Sequence, residues 1–470
     1  MSTMGPALLL LLAIVAAVLL AATNRYAKQQ REELETLAPP ASLDSVGTWE
    51  AEVLAAEQAA AAAPAAPGPP VTARALHAVR DQAVLFQQHV PPRADARSYW
   101  GGRPRLAPGM VWPAFTAPDG TERAMSFLVQ IACDELPGGA RLGVFPDTGV
   151  LHVFLDLAWG EHWRWRCLWT PGDSAAWPEA VPPPALPRAY SDRGHWTWPQ
   201  DDGDWPRLLP RWSFTPVLVE GTPADEPVDP VADPGDDEGR LWPGSIDLAT
   251  ALQGLGAVVD QVTLPRGRPF ATFPHDWRSV TITIGHLAHH LDRAVRWPSM
   301  GRVDEDAAER LRGQLATWAA RSREHAPEEP LTADESNEAW HALLEENAIA
   351  GRAMRDAVHD SVEATLTDRQ SRAVLPEEAI DLVRSRHALA SRNPETGYVH
   401  VNTPDRMLAA PTCVQVEGDA RAAEWLLLLE VSSLPGIGHE FGEGVLQFWI
   451  RPDDLAARRF ERVELTGEAY

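Results

Sequence analysis

His286 and His290 stand four residues apart in a stretch, His286 to Trp297, whose Leu287, Leu291, Ala294 and Val295 recur at helical spacing. That spacing is how one helix offers two imidazoles to a single metal ion. Position 287 is leucine, so the glutamate of the zinc-protease motif is missing, and the sequence marks no third ligand. Solvent-facing histidines are the default reading, no metal site is assigned, and a metal-dependent hydrolase using this helix is the rival.

Other chemistries are narrowed by what the chain lacks. Lys28 is the only lysine and lies far from any predicted core. Phosphate-binding P-loops, Schiff-base enzymes and protein kinases each need a lysine in the site, so all three are excluded. There is no Gly-x-Ser-x-Gly elbow. Gly254 and Gly256 lack a third glycine in place, and Gly436 and Gly438 are followed by Gly442 instead of the dinucleotide spacing. Cys133, Cys167 and Cys413 are odd in number and far apart, so they read as small buried residues, not a disulfide framework or a paired-cysteine metal site. With 66 Asp and Glu residues, a carboxylate pair acting as acid and base stays open. The sequence marks no cofactor.

A formal net charge of -25 repels phosphate backbones, so nucleic acid is not an expected partner. Between Trp159 and Trp212 lie nine of the 19 tryptophans, close to Arg164, Arg166 and Arg211. They could form an aromatic platform for a ligand, or cover a sheet edge, which is the commoner use. Glu220 to Gly239 carries Asp225, Asp229, Asp233, Asp236 and Asp237 without EF-hand spacing, and reads as a solvated linker.

The elements that must position these residues follow from periodicity. Pro6 to Ala22 is an uninterrupted apolar run, about 26 Å as a helix, near the lower limit for crossing a bilayer. Arg25, Lys28 and Arg31 follow it, which places the body on the cytoplasmic side of a cell membrane; a cleaved secretory signal is the competing reading. We therefore expect a transmembrane anchor over residues 1–23 and a polar helix with an Ala/Pro spacer over 24–71. A first β-rich part over 72–284, a helical region over 285–395 and a C-terminal part over 396–470 complete the division. A short helix is expected around Ala75 to His89, and strands at Met125 to Ile131, Val150 to Leu155, Val258 to Leu264 and Val280 to Ile284. Helices are expected from Asp304, from the Thr332/Glu335 capping box with Trp340, Leu344, Met354, Val358 and Val362 in register, and from Pro376.

Several short motifs occur in a telling order. Gly101-Gly102-Arg103-Pro104-Arg105-Leu106 precedes Trp112-Pro113, Ser126-Phe127-Leu128-Val129-Gln130 and Gly149-Val150-Leu151. Near the end come Leu408 to Gln415, with Ala409 where glycine is usual, and Gly444 to Leu455. Together they resemble the YwqG-like family of bacterial proteins, over roughly Val90 to Trp212 and Leu408 to Val463. The resemblance implies an α+β fold of mostly antiparallel β units with a helical insertion, and no established activity.

The chain also echoes itself. Ser126 to Glu135 followed by Gly149 to Phe154 is matched by Leu426 to Ser433 followed by Gly444 to Trp449. This is either a duplicated β unit, with two open sheets burying their faces on each other, or a chance likeness of two hydrophobic hairpins. From the anchor, the Ala/Pro spacer and the lack of a catalytic constellation we expect a non-enzymatic, membrane-tethered binding or scaffold protein with a groove between the two β units, for an unknown small molecule or protein. Arg103, Gln130 and Gln415, which match polar positions in the family's motifs, are then the groove candidates. Hydrogen bonding that ties loop to strand is their alternative role.

Overall fold

Short apolar runs bounded by turn residues become strands here, and nearly every residue in the central ones is buried. The computed structural model describes residues 79, 81–117, 119–157, 164–189, 207–221, 246–265, 267–296, 304–345, 350–368, 371–402, 405–412, 421–422, 424–433, 438–439 and 444–469. The apolar run Pro6 to Ala22, the spacer, Gln415, Cys413 and most of the acidic stretch lie outside the described residues. Among the described residues, no helix is long and apolar enough to cross a membrane.

The fold is mixed α+β. Its strands are β1 (Gln82–Gln88), β2 (Tyr99–Trp100), β3 (Ala114–Thr116), β4 (Glu122–Ala124), β5 (Ser126–Ala132), β6 (Val150–Leu155), β7 (Trp165–Thr170), β8 (Trp212–Glu220), β9 (Val258–Asp260), β10 (Ala390–Arg392), β11 (Val399–Val401), β12 (Arg406–Met407), β13 (Leu426–Ser432), β14 (Gly444–Ile450) and β15 (Glu464–Ala469). Its helices are α1 (Leu248–Gly254), α2 (Trp277–Arg296), α3 (Glu305–Ser322), α4 (Ala333–Trp340), α5 (Ala350–Thr367), α6 (Glu377–Arg386) and α7 (Pro452–Ala456).

Ten strands form one sheet in the order β15-β14-β13-β12-β1-β8-β2-β5-β6-β7, antiparallel throughout. Val84, Phe86, Val129, Ile131, Leu151, Val153, Phe448 and Ile450 share a core with Trp277, Leu287, Leu311, Val358 and Val362 of the helices. Other residues face the opposite way: Ala83 and Leu85 pack with Leu248 and Leu252 of α1, and Phe154, with Phe127 across a register shift from Val129, packs with Leu106 and Trp112 of the loops.

The sheet is built twice. Outward from β1 and β8 run β12, β13, β14, β15 on one side and β2, β5, β6, β7 on the other. Both hairpins carry a register shift at matching places, between Phe127 and Val129 and between Leu427 and Leu429. After each short inner strand the chain turns through positive φ, 56° at Gly101 and 48° at Leu408. A Cβ on Gly101 would lie 2.1 Å from the Pro210 carbonyl oxygen, so only glycine fits there.

In both halves the following loop is held by a buried polar residue of the inner hairpin strand. The Arg105 amide donates to Gln130 Oε1 at 2.9 Å, and the Thr412 amide donates to Glu430 Oε2 at 2.8 Å. The next strand repeats the device: His152 Nε2 lies 3.0 Å from the Arg105 carbonyl, and Gln447 Nε2 lies 2.9 Å from that of Thr412. The two hairpins thus share a register shift, a turn through positive φ and the clamps on the loop that follows.

Three expectations are corrected. The two β units do not bury their faces on each other, because they are halves of one sheet, and β1 and β8 fill the space where the groove was expected. Residues 82–88 form the central strand β1 and not a helix: Gln82 and Gln88 are buried, and Gln82 Nε2 reaches the Leu408 carbonyl at 3.3 Å. Tertiary pairing there overrides the helix propensity of Ala, Leu and Gln. Val280 to Ile284 belongs to α2, not to a strand. The helix opens at Asp276, whose Oδ1 accepts from the Ser279 amide at 2.7 Å, an N-terminal signature that outweighs the short alternation. Capping by Asp304 and the Thr332/Glu335 box occur as expected. The helix from Thr332, however, is interrupted by a π turn at His341–Glu345.

Candidate metal centre

Helices α2 and α5 pack together because each turns an apolar stripe to the core, Val280, Leu287 and Leu291 on one, Val358 and Val362 on the other. His286 faces Asp360 and His290 faces Asp356, so residue numbers rise along one helix as they fall along the other, and the pair is antiparallel. Two histidines one turn apart thus meet two aspartates one turn apart.

The distances are 2.8 Å from His286 Nε2 to Asp360 Oδ2 and 4.0 Å from His290 Nε2 to Asp356 Oδ2. One ligand atom from each of His286, His290 and Asp356 lies within 4.8 Å of the others. Ligands of a zinc-sized ion sit about 2.0–2.2 Å from it, hence roughly 4 Å apart at most, so small rotamer adjustments would let all three share one ion. His286 is buried, and His290 and Asp356 are partly exposed, which leaves a path for an ion.

Burial lowers the pKa of His290, with His289, His286 and Arg293 adding to the effect and Asp356 opposing it. An imidazole kept neutral is one able to ligate. Arg355 Nε lies 3.7 Å from Asp356 Oδ1. One turn further along α5, Glu363 is fully buried. Burial pushes its carboxyl up, but facing Arg386 and His387 overcome this and hold it down at about 2. His387 Nε2 lies 2.9 Å from Glu363 Oε1, its Nδ1 meets Gln88 of β1, and its ring stacks on Trp212 of β8 at 4.5 Å. Ionisable side chains thus run from α2 through α5 to the middle of the sheet.

The other candidates stand elsewhere. Gln130 is fully buried, its Oε1 accepting from the Arg105 amide at 2.9 Å and its Nε2 donating to the Arg97 carbonyl at 2.8 Å, while the Tyr99 hydroxyl shares its one proton between Gln130 Oε1 at 3.2 Å and the Arg103 carbonyl. Arg103 is exposed on the loop above it, its carbonyl accepting from the Tyr99 hydroxyl at 2.9 Å. Gln415 lies outside the described residues. Of the clustered tryptophans, Trp165 donates to the Val463 carbonyl at 2.7 Å and Trp169 sits under Arg458 at 4.8 Å, so both cover the sheet edge. Cys133 and Cys167 are buried, and burial pushes the Cys133 thiol up to about 12, which makes it a poor nucleophile.

Sequence reading found the histidine pair but missed Asp356 and Asp360, which lie on another helix. The available signal was a second four-residue spacing, of acids, on the neighbouring amphipathic stretch.

An antiparallel sheet with most of its helices on one face and α1 on the other defines a mixed α+β protein. The family model described as a domain of unknown function (DUF1963) matches residues 98–176 and 305–467, just over half of the chain, and the chain belongs to that family. Asp356 and Asp360 fall within the matched stretches; His286 and His290 fall between them. No curated protein matches the chain.

Proposed function

We propose that this chain is a YwqG-like member of its family that acts as a membrane-tethered binding module, and that what it binds is a divalent transition-metal ion held by His286, His290 and Asp356. The observation that carries this reading is the convergence of three ligand atoms within 4.8 Å from two packed helices. Two imidazoles and a carboxylate suit zinc and its neighbours better than calcium or magnesium, which take oxygen ligands. The tether is the run Pro6 to Ala22 with the cations that follow it. Nucleic acid is not a partner in this reading, on charge grounds.

Stripping the full-length protein with chelator and titrating Zn²⁺ by calorimetry should give one ion per chain, lost in His290→Ala and Asp356→Ala. Binding of equal strength in both variants would sink the reading. Carbonate-resistant membrane association tests the tether; recovery of a trimmed chain from the medium would overturn it.

A metal-dependent hydrolase on the same residues is the second reading. It is favoured because three protein ligands leave a coordination position open for water, as catalytic zinc sites do. Ester or phosphoester hydrolysis that appears with Zn²⁺ and disappears in Asp356→Ala would select it.

A further inference from the structure

We infer that Asp360 is a positioning residue of this metal site and not one of its ligands, and that it leaves His286 to bind through Nδ1. The inference rests on the metal-binding reading above. A carboxylate only accepts hydrogen bonds, so the 2.8 Å contact between Asp360 Oδ2 and His286 Nε2 places the proton on Nε2. A neutral ring protonated at Nε2 carries its free lone pair on Nδ1, and a metal ion needs that lone pair. Metal-bound histidines are commonly held this way, with a carboxylate on the second ring nitrogen fixing tautomer and ring orientation.

The geometry separates the two aspartates of α5. Asp360 is buried and sits at hydrogen-bond distance from its histidine; Asp356 is partly exposed and stands 4.0 Å from His290 Nε2, a separation for two ligands with an ion between them and not for a hydrogen bond. His286 and Asp360 are both nearly out of solvent, so the ring has little freedom to turn over. The same helix pair therefore supplies three ligands, His286, His290 and Asp356, and one orienting carboxylate, Asp360.

The test uses the full-length, chelator-stripped protein and Zn²⁺ alone. Asp360→Asn keeps an acceptor for Nε2–H and should weaken Zn²⁺ about 10-fold. Asp360→Ala should approach 100-fold, the upper end for loss of such a partner. Both should retain one site per chain and wild-type circular dichroism. Imidazole ¹⁵N shifts of His286 should show protonated Nε2 before Zn²⁺ and a change at Nδ1 on binding. Asp360→Ala losing Zn²⁺ as completely as Asp356→Ala, or the shift appearing at Nε2, would make Asp360 a ligand and overturn the inference. An Asp360→Asn affinity equal to wild type would also overturn it, while leaving the metal site standing. Unchanged binding in Asp356→Ala would instead remove the reading beneath it.

Discussion

At the place where the N-terminal half of the sheet carries Gln130, the C-terminal half carries Glu430, and each holds the loop that follows its inner strand. Gln130 meets two donors and one carbonyl, that of Arg97, which needs an N–H. Glu430 meets donors alone: the amide and hydroxyl of Thr412, at 2.8 and 2.6 Å, Gln447 Nε2 at 2.9 Å and Arg406 Nε at 3.2 Å. Both residues are fully buried, where an unmatched polar group costs about 1–3 kcal/mol and an unpaired charge more. Backbone pairing is shared by the two halves, whereas each clamp is matched to its own neighbours. One backbone frame, repeated in the two halves, can thus carry different polar chemistry.

The reciprocal exchange breaks the comparison most severely. In Glu430→Gln one amide N–H must face a donor, and Arg406 loses its ionic partner, at an expected cost of about 3–5 kcal/mol. In Gln130→Glu a buried carboxylate faces the Arg97 carbonyl, at a cost above the about 1–3 kcal/mol of an unmatched neutral group. Urea denaturation at neutral pH measures both. Equal losses would show that charge is not what distinguishes the halves.

One residue before each inner strand the halves differ again. Ser98 Oγ accepts from the Ala132 amide at 3.0 Å, and Asp405 Oδ1 accepts from the Ser432 amide at 2.7 Å. Burial above all, with Glu430 adding to it, pushes the Asp405 carboxyl up from 3.8 to about 7, against the opposing Ser432 amide and Arg406. Between those pH values the folded chain holds a proton that the unfolded chain has released. Asp405 therefore makes stability fall as pH rises from about 4 to about 7, and leaves it flat above. Asp405→Asn should flatten that slope by up to about 1.4 kcal/mol per pH unit, read from urea midpoints across the window. An unchanged slope would mean that Asp405 is ionised in the fold.

Much of this frame was legible in the chain. The hairpins at 126–132 and 150–155 and their echo at 426–432 and 444–450 could be read because their apolar runs are short, continuous and punctuated by glycine. The helix caps at Asp304 and Thr332 could be read because capping is local. Strand β1 could not: its burial comes from β12 and β8, which pair with it from residues 406–407 and 214–220. The candidate metal centre was half legible for the same reason. His286 and His290 announce themselves on one helix, but Asp356 joins them only after α2 and α5 pack.

The smallest expected effect comes from His152, whose counterpart is Gln447. His152 is fully buried among Phe127, Phe154 and Trp177, and burial lowers its pKa to about 4. It is therefore neutral at pH 7, with Nε2–H donating to the Arg105 carbonyl. Since an unfolded histidine takes up a proton near pH 6.5, its contribution is complete above that value and is lost as pH falls toward 4. His152→Gln installs the C-terminal half's solution: the donor is kept, the ring packing is lost, and nothing titrates. We expect a cost of about 1 kcal/mol at pH 7 and a gap to wild type that closes as pH falls below 6.5 and reverses before pH 4. His89 and His359, whose pKa values burial also lowers to about 4, contribute acid sensitivity of their own, so the difference between variant and wild type is the quantity to follow. A gap that stays constant across that range would show that the two halves respond alike to acid at this position.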